Sequence, residues 1–295
     1  MSSALSGIKI TVLGGDDREL VLVAKLVTLG ATVTVVGFPR EKLKHGAFIG
    51  KSVDEALKGA EVAILPMPGT DINGNIRAVY SGDRLVLTEK SLRVMAPGAI
   101  LIIGSARPFL HEWLDKIGIS LLEIADVDEV AILNSIPTAE GAIQIAMEEM
   151  DTTIHSSRAM VVGFGRVGTT LGRALKNLGA DVIVVSQENA ELARAYELGC
   201  RRVQLQDMGD NLAGLDVIFN TVPAMVLNDQ VLSRMSPDTL VVDLASQPGG
   251  TDFENANRYG IKAILAPGLP GKVAPKMAGR ILAEVIPRLI LEELS

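Results

Sequence analysis

The sequence predicts an α/β protein of two doubly wound parallel-sheet domains, and three observations carry that expectation. Short β-branched runs alternate with amphipathic stretches and glycine turns along the whole chain, the pattern of repeated βαβ units. The chain also repeats itself. Ile10-Thr11-Val12-Leu13-Gly14, a helical stretch to Leu29-Gly30-Ala31 and a strand over residues 33–36 recur as Met160-Val161-Val162-Gly163, a helix to Leu178-Gly179-Ala180 and a strand over residues 182–185. Gly14 and Gly163, and likewise Gly30 and Gly179, stand 149 positions apart, so both halves should share one topology. Third, Gly163-Phe164-Gly165-Arg166-Val167-Gly168 is a full GxGxxG placed after a strand and opening a helix.

The later elements repeat too. Glu61-Val62-Ala63-Ile64-Leu65 with Pro68 matches Asp216-Val217-Ile218-Phe219-Asn220 with Pro223, and Ala96-Pro97-Gly98 matches Ser236-Pro237-Asp238, each before an apolar run. Residues 1–135 are therefore expected to form a Rossmann-like substrate domain and residues 156–273 a dinucleotide-binding Rossmann domain. Between them residues 136–155 read as a crossing helix, with Pro137 near its start and Thr138 as N-cap. A second apolar helix, residues 274–295, is expected to return to the first domain. The whole is the two-domain plan of 2-hydroxyacid dehydrogenases, with crossing helices. The terminal helix is apolar enough to bury a face against its own domain or against another copy, which leaves room for a homo-oligomer.

Composition excludes other classes. Lys and Arg number 28 against 35 Asp and Glu, and both halves are net acidic, so neither offers the basic footprint that nucleic acid requires. No apolar run reaches the roughly 20 residues of a bilayer-spanning helix, and the short polar start from Met1 to Ser6 does not read as a secretory signal. Cys200 is the single cysteine, and His45, His111 and His155 lack ligand spacing. A metal-free protein of a reducing cytoplasm is the expectation.

In the glycine motif, the first Gly permits the tight turn, the second lets backbone approach a pyrophosphate, and the third allows close helix–strand packing. In the first repeat the corresponding residues are Gly14, Asp16 and Glu19, and two carboxylates would repel a pyrophosphate. The cofactor set is therefore Gly163, Gly165, Arg166, Val167 and Gly168 in the loop, Ser186 at the end of the second strand, and Thr221, Val222, Pro223 and Ala245 at the carboxyl ends of later strands. Ser186 stands where a carboxylate would exclude a 2′-phosphate and Arg166 would attract one, so NADP is expected over NAD unless Glu188 folds back. Asp243, an acid on an apolar strand, is expected to cap or pair structurally.

The first domain should supply substrate contacts: Asp16 and Arg18 after its first strand, residues 66–70 after its fourth, and Ser105 and Arg107 after its fifth. Two guanidinium groups suit a small dicarboxylate, although Arg18 beside Asp16 and Asp17 equally suits an ion pair. Lys276 and Glu140, placed at the starts of the two crossing helices, are candidates for proton transfer. His111 and His155 read as packed or capping residues rather than general bases.

Five blocks, Gly14-Gly15-Asp16, Asn134-Ser135-Ile136-Pro137-Thr138-Ala139-Glu140-Gly141, Gly163 to Gly168, Asp243-Leu244-Ala245-Ser246-Gln247-Pro248-Gly249-Gly250-Thr251-Asp252-Phe253, and Ala266-Pro267-Gly268-Leu269-Pro270-Gly271-Lys272-Val273-Ala274-Pro275-Lys276, together resemble the dipicolinate synthase A-subunit family. The resemblance implies NADP-linked oxidation of dihydrodipicolinate, or of its hydrated precursor from the lysine pathway, to dipicolinate in the mother cell of a spore-forming bacterium. It also implies a flavoprotein-like partner, the synthase B subunit. The residues alone leave two alternatives open: a 2-hydroxyacid or amino-acid dehydrogenase on the same plan, and a nucleotide-sensing module without turnover.

Overall fold

Runs of aliphatic residues buried on both faces are what a parallel sheet covered by helices requires. The computed structural model, which describes residues 4–43, 46–246 and 249–294, builds two such sheets. Met1, His45, Gln247 and Pro248 lie outside the described residues. The chain divides into two compact units, Met1–Ala131 with Pro275–Ser295, and Ile132–Ala274.

The first unit contains β1 (Lys9–Leu13), α1 (Asp17–Thr28), β2 (Thr32–Val36), β3 (Phe48–Ile49), α2 (Val53–Leu57), β4 (Val62–Ile64), β5 (Asn75–Ile76), β6 (Leu85–Val86), α3 (Glu89–Leu92), β7 (Ile100–Ile103), α4 (Pro108–Ile117) and β8 (Ser120–Glu123). Its six-stranded sheet runs β3-β2-β1-β4-β7-β8, with every pair parallel. Strands β5 and β6 form a small antiparallel hairpin inserted after β4. The chain leaves this unit within α5 (Asp128–Glu149).

The second unit contains β9 (Arg158–Val162), α6 (Arg166–Asn177), β10 (Asp181–Ser186), α7 (Asn189–Glu197), β11 (Arg201–Gln204), β12 (Val217–Asn220), α8 (Asp229–Leu232), β13 (Leu240–Asp243), α9 (Phe253–Arg258), β14 (Ala263–Leu265) and α10 (Leu269–Val273). Its parallel sheet runs β11-β10-β9-β12-β13-β14. Both sheets thus have the 3-2-1-4-5-6 order of a Rossmann unit. The repeat extends to single hydrogen bonds: Gly14 N–H donates to Val36 O at 2.9 Å, and Gly163 N–H donates to Val185 O at 2.8 Å.

Two helices differ from the expectation. Helix α5 begins at Asp128 and carries Pro137 in its interior, so Thr138 is not an N-cap. Its hydroxyl instead donates to Asn134 O at 2.7 Å, and Ser135 Oγ donates to Ile132 O at 2.6 Å. Proline weakens a helix but does not end one whose flanks remain buried, and Ser135, Ala139 and Ala142 are all buried. The terminal helix, α11 (Pro275–Glu293), packs on α1 in the first unit. A β-carbon at Gly279 would stand 2.9 Å from Arg18 O, and Leu282, Ile286 and Ile290 join the core with Leu22 and Leu26. Its buried face packs within its own unit.

At the end of β13, Asp243 is fully buried and accepts four hydrogen bonds. Asn220 Nδ2 (3.1 Å) and Ala245 N–H (3.0 Å) donate to Oδ1, and Gly250 N–H (2.8 Å) and Thr251 Oγ (2.7 Å) donate to Oδ2. The structural role expected of this acid is the one it has. Asp243→Asn would turn an amide donor against two of those donors, so chemical denaturation should register a loss of about 1–3 kcal/mol.

Candidate functional site

The turn joining β9 to α6 is shaped by its glycines. Gly163 has φ +83°, and a β-carbon there would stand 2.5 Å from Thr221 Oγ. Gly168 lets the helix press on the strand, since its β-carbon would stand 2.1 Å from Gly163 O. Phe164 turns inward beneath Gly172, and Thr169 Oγ donates to Phe164 O at 2.8 Å. Gly165 differs: its φ is −70°, and the nearest atom to its would-be β-carbon is Glu191 Oε1 at 3.6 Å. Neither a positive φ nor crowding requires glycine at 165, whereas close approach of a ligand favours it. Gly165 is also the N-cap of α6 and provides no side-chain cap, so the first turn, with exposed Arg166 and half-buried Val167, presents its backbone to an anion. These residues fit a dinucleotide pyrophosphate.

Around this turn stand the other residues assigned from sequence. Ser186, buried at the end of β10, donates through Oγ to Glu191 Oε2 at 2.6 Å and accepts from Glu188 N–H at 3.0 Å. Thr221 donates to Val162 O at 2.9 Å, and Val222 N–H donates to Asn220 Oδ1 at 3.1 Å. Pro223 is exposed next to them, and Ala245 is fixed through its N–H on Asp243. Loop and strand ends of one unit are thus brought together.

In the first unit the equivalent turn is filled. Asp16 caps α1, and Glu19 reaches back to accept from Asp16 N–H at 2.7 Å. The inserted hairpin lies over the glycines: Gly15 N–H donates to Arg77 O at 2.7 Å, and β-carbons at Gly14 and Gly37 would strike Arg77 O and Leu85. Arg18 is buried, pairs with Asp16 at 2.9 Å and donates to Met67 O at 2.8 Å. Arg77, its side chain 50% exposed, also reaches Asp16 at 2.9 Å. Burial works to raise the Asp16 carboxyl, but the Arg18 hydrogen bonds and the two guanidinium charges outweigh it and hold the group below the usual carboxylate range. Burial dominates at Glu19 and pushes it up to about 7, against the Asp16 N–H bond and the Arg18 charge.

Ser105 and Arg107 are exposed after β7, and Arg107 Nε donates to Thr70 O at 3.4 Å. Thr70 Oγ is buried without a partner. Lys276 is exposed in the first turn of α11, whereas Glu140 is exposed in the interior of α5 and not at a helix start, because that helix begins at Asp128. His155 packs over Gly179, and His111 Nε2 lies 3.4 Å from Glu123. Among the described residues no group of three His, Cys, Asp or Glu is placed to hold a metal, and no helix is long and apolar enough to cross a membrane.

Sequence reasoning missed Arg77, which the hairpin insertion delivers, and Glu191. The signal for Glu191 was its place as third residue of α7, from which a glutamate turns back toward the preceding turn.

Fold and turn together define a two-domain protein of the dehydrogenase type with one nicotinamide-dinucleotide domain. Residues 137–247 match the NAD-binding domain of D-isomer specific 2-hydroxyacid dehydrogenases, and residues 9–125 match the N-terminal domain of the dipicolinate synthase A subunit. The chain is 41% identical over 292 residues to the dipicolinate synthase A subunit of Bacillus subtilis, covering 98% of this chain and 97% of that one. The crystal structure of its counterpart from Bacillus halodurans superposes with a TM-score of 0.94 at 38% identity, covering 97% and 98% of the two chains. A Sinorhizobium meliloti transhydrogenase shares the fold, with a TM-score of 0.67 at 18% identity over 96% of this chain and 93% of that one. The chain belongs to the dipicolinate synthase A-subunit family.

Two outcomes follow from this geometry. Because the folded-state value of Glu19 lies above its ordinary 4.5, its contribution to stability is full below about pH 4.5 and is lost as pH rises through about 7. Glu19→Gln, neutral throughout, should flatten that fall in denaturation midpoints recorded between about pH 5 and pH 8. Gly165→Ala, which puts alanine at an N-cap, should lower stability by no more than about 1 kcal/mol in thermal denaturation. The same change should weaken binding of a nicotinamide dinucleotide about tenfold or more in calorimetry, through lost approach to the pyrophosphate.

Proposed function

We propose that this chain is the A component of a dipicolinate synthase and oxidises dihydrodipicolinate, or its hydrated precursor from the lysine pathway, to dipicolinate with a nicotinamide dinucleotide. The observation that carries this reading is the Gly163 to Gly168 turn, whose helix start carries no side-chain cap, in a chain that its relative matches over 98% of its length. The donor is a CH–CH bond of a dihydropyridine ring. One hydrogen leaves as hydride and the other as a proton, and the gain in aromaticity drives the reaction, so the protein's task is chiefly orientation. When bound, the nicotinamide ring supplies the hydride acceptor.

Gly163, Gly165, Arg166, Val167 and Gly168 would hold the pyrophosphate, and Thr221, Val222, Pro223 and Ala245 would border the nicotinamide end. Asp16, Arg18, Ser105 and Arg107 are the proposed substrate contacts. Since Arg18 is already held by Asp16, a substrate carboxylate would meet a preset charge array, with half-exposed Arg77 and exposed Arg107 as its outward cations. The proton passes to water or to a side chain, for which Lys276 and Glu140 are the candidates. The expectation of NADP rests on the lack of a carboxylate at Ser186. Ser186 itself donates through Oγ to Glu191 Oε2 at 2.6 Å.

The remaining parts of the reading are a partner chain, the second component of the synthase, and a place in the cytoplasm of the spore-forming mother cell. Purified chain given NAD or NADP and freshly generated dihydrodipicolinate, with and without that partner, should form reduced nicotinamide and dipicolinate in equal amounts, followed by absorbance and chromatography. Tight dinucleotide binding without turnover in every combination would overturn the synthase reading in favour of a nucleotide-sensing module.

A further inference from the structure

We propose that Asn134 is a ligand-contacting residue of the second unit, its side-chain oxygen accepting a hydrogen bond from an N–H or O–H group of the dinucleotide or of the substrate. The assignment rests on the reading of the Gly163 to Gly168 turn as a nicotinamide-dinucleotide site. Among the described residues, two buried side-chain atoms lack a hydrogen-bond partner, Thr70 Oγ in the first unit and Asn134 Oδ1 in the second. A buried acceptor without a donor costs stability. Helix α5 uses only the backbone oxygen of Asn134, which accepts from Thr138 Oγ at 2.7 Å. Asparagine in a helix interior is also a weaker helix former than leucine or alanine, so the stability of α5 does not select the amide.

The fold puts this residue at the ligand end of the second sheet. Helix α5 runs against the strands, because Glu149 at its end pairs with Lys262, which directly precedes β14. Asn134, about four turns earlier, therefore lies toward the carboxyl ends of the strands, where a doubly wound sheet binds its ligands. Two contacts bracket the position. Ser135 Oγ is hydrogen-bonded at 2.6 Å to Thr170 Oγ in the second turn of α6, the helix that opens at Gly165. Asn134, Thr138 and Gly141 share one face of α5, at i, i+4 and i+7. On that face a β-carbon at Gly141 would stand 3.1 Å from Val273 and 3.2 Å from Leu269, both in α10, which follows the carboxyl end of β14. Asn134 thus stands between the helix that starts at the glycine turn and the segment that leaves the last strand. The residue is half-buried, and rotation about the broad terminal torsion of its amide turns the oxygen to the open side. An oxygen placed there takes a donor, which the nicotinamide carboxamide, a ribose hydroxyl or the ring of the substrate can supply.

Asn134→Leu and Asn134→Ala in the full chain test this by ligand-free melting curves, by calorimetry with NAD and NADP, and by turnover of dihydrodipicolinate. Asn134→Leu, of similar volume and without the unpaired oxygen, should melt at a higher temperature than the wild type. Both variants should lose the ligand contact. If the donor belongs to the dinucleotide, its binding weakens about three- to tenfold, the span of one neutral hydrogen bond. If it belongs to the substrate, dinucleotide binding stays as in the wild type and KM for dihydrodipicolinate rises by the same factor. Variants that melt lower yet bind and turn over as the wild type does would overturn the assignment, since Asn134 would then serve only the packing of α5. So would variants that melt higher with binding and turnover intact. Failure of the wild type to bind either dinucleotide would instead overturn the cofactor reading beneath it.

Discussion

The backbone amides at the start of the helix that follows the first strand are the constraint on which both units turn. They need negative charge or hydrogen-bond acceptors from somewhere. The same glycine turn, with the same strand-to-strand hydrogen bond from Gly14 or Gly163, meets that need in two ways. In the first unit the chain provides the acceptors itself, through the capping box of Asp16 and Glu19. In the second unit the N-cap is Gly165, which has no side chain to offer, and that place is left to a ligand. One repeated geometry thus gives one closed and one open anion site.

Closing the first site has consequences of its own. A buried carboxylate must be paired or neutral, and the unit uses both solutions within one turn of helix. Asp16 stays charged because Arg18 and Arg77 converge on it, whereas Glu19, almost wholly buried, is pushed toward its neutral form. The inserted hairpin then covers Gly14, Gly15 and Gly37, where a dinucleotide would otherwise lie. In the open unit, order at the strand ends comes from a different buried acid. Asp243 gathers Asn220, Ala245, Gly250 and Thr251 around itself, so the loops that border the crevice are set before any ligand arrives.

Much of the fold was legible because it depends on patterns the backbone imposes. The repeat of strand, glycine turn and helix at a constant spacing anticipates two sheets with one strand order, and the GxGxxG separates the open turn from the closed one. The structural role of Asp243 followed from its apolar surroundings. Local rules failed where tertiary packing overrides them. Pro137 reads as a helix start, yet it lies inside α5 because buried flanks and two hydroxyl back-bonds support the helix around it. Arg18 reads in the sequence equally as a substrate cation or as an ion-pair partner, and the fold shows it engaged by Asp16 and Met67 O. Arg77 was invisible because its role comes from an insertion absent from the other repeat.

Glu191 shows how a residue outside a motif can reach the turn the motif locates. The rule for the ribose-reading acid counts positions along the second strand, but the ribose responds to where charge stands in space. A helix that begins directly after the strand points its third side chain back over the turn, so an acid placed there occupies the region that the rule reserves for the strand end. Ser186, taken alone, is an uncharged strand end; in the fold it stands hydrogen-bonded to a carboxylate. Glu191 is held by both the loop and the strand, so it cannot swing aside without breaking two hydrogen bonds. One side chain thus ties the glycine loop to the end of the second strand.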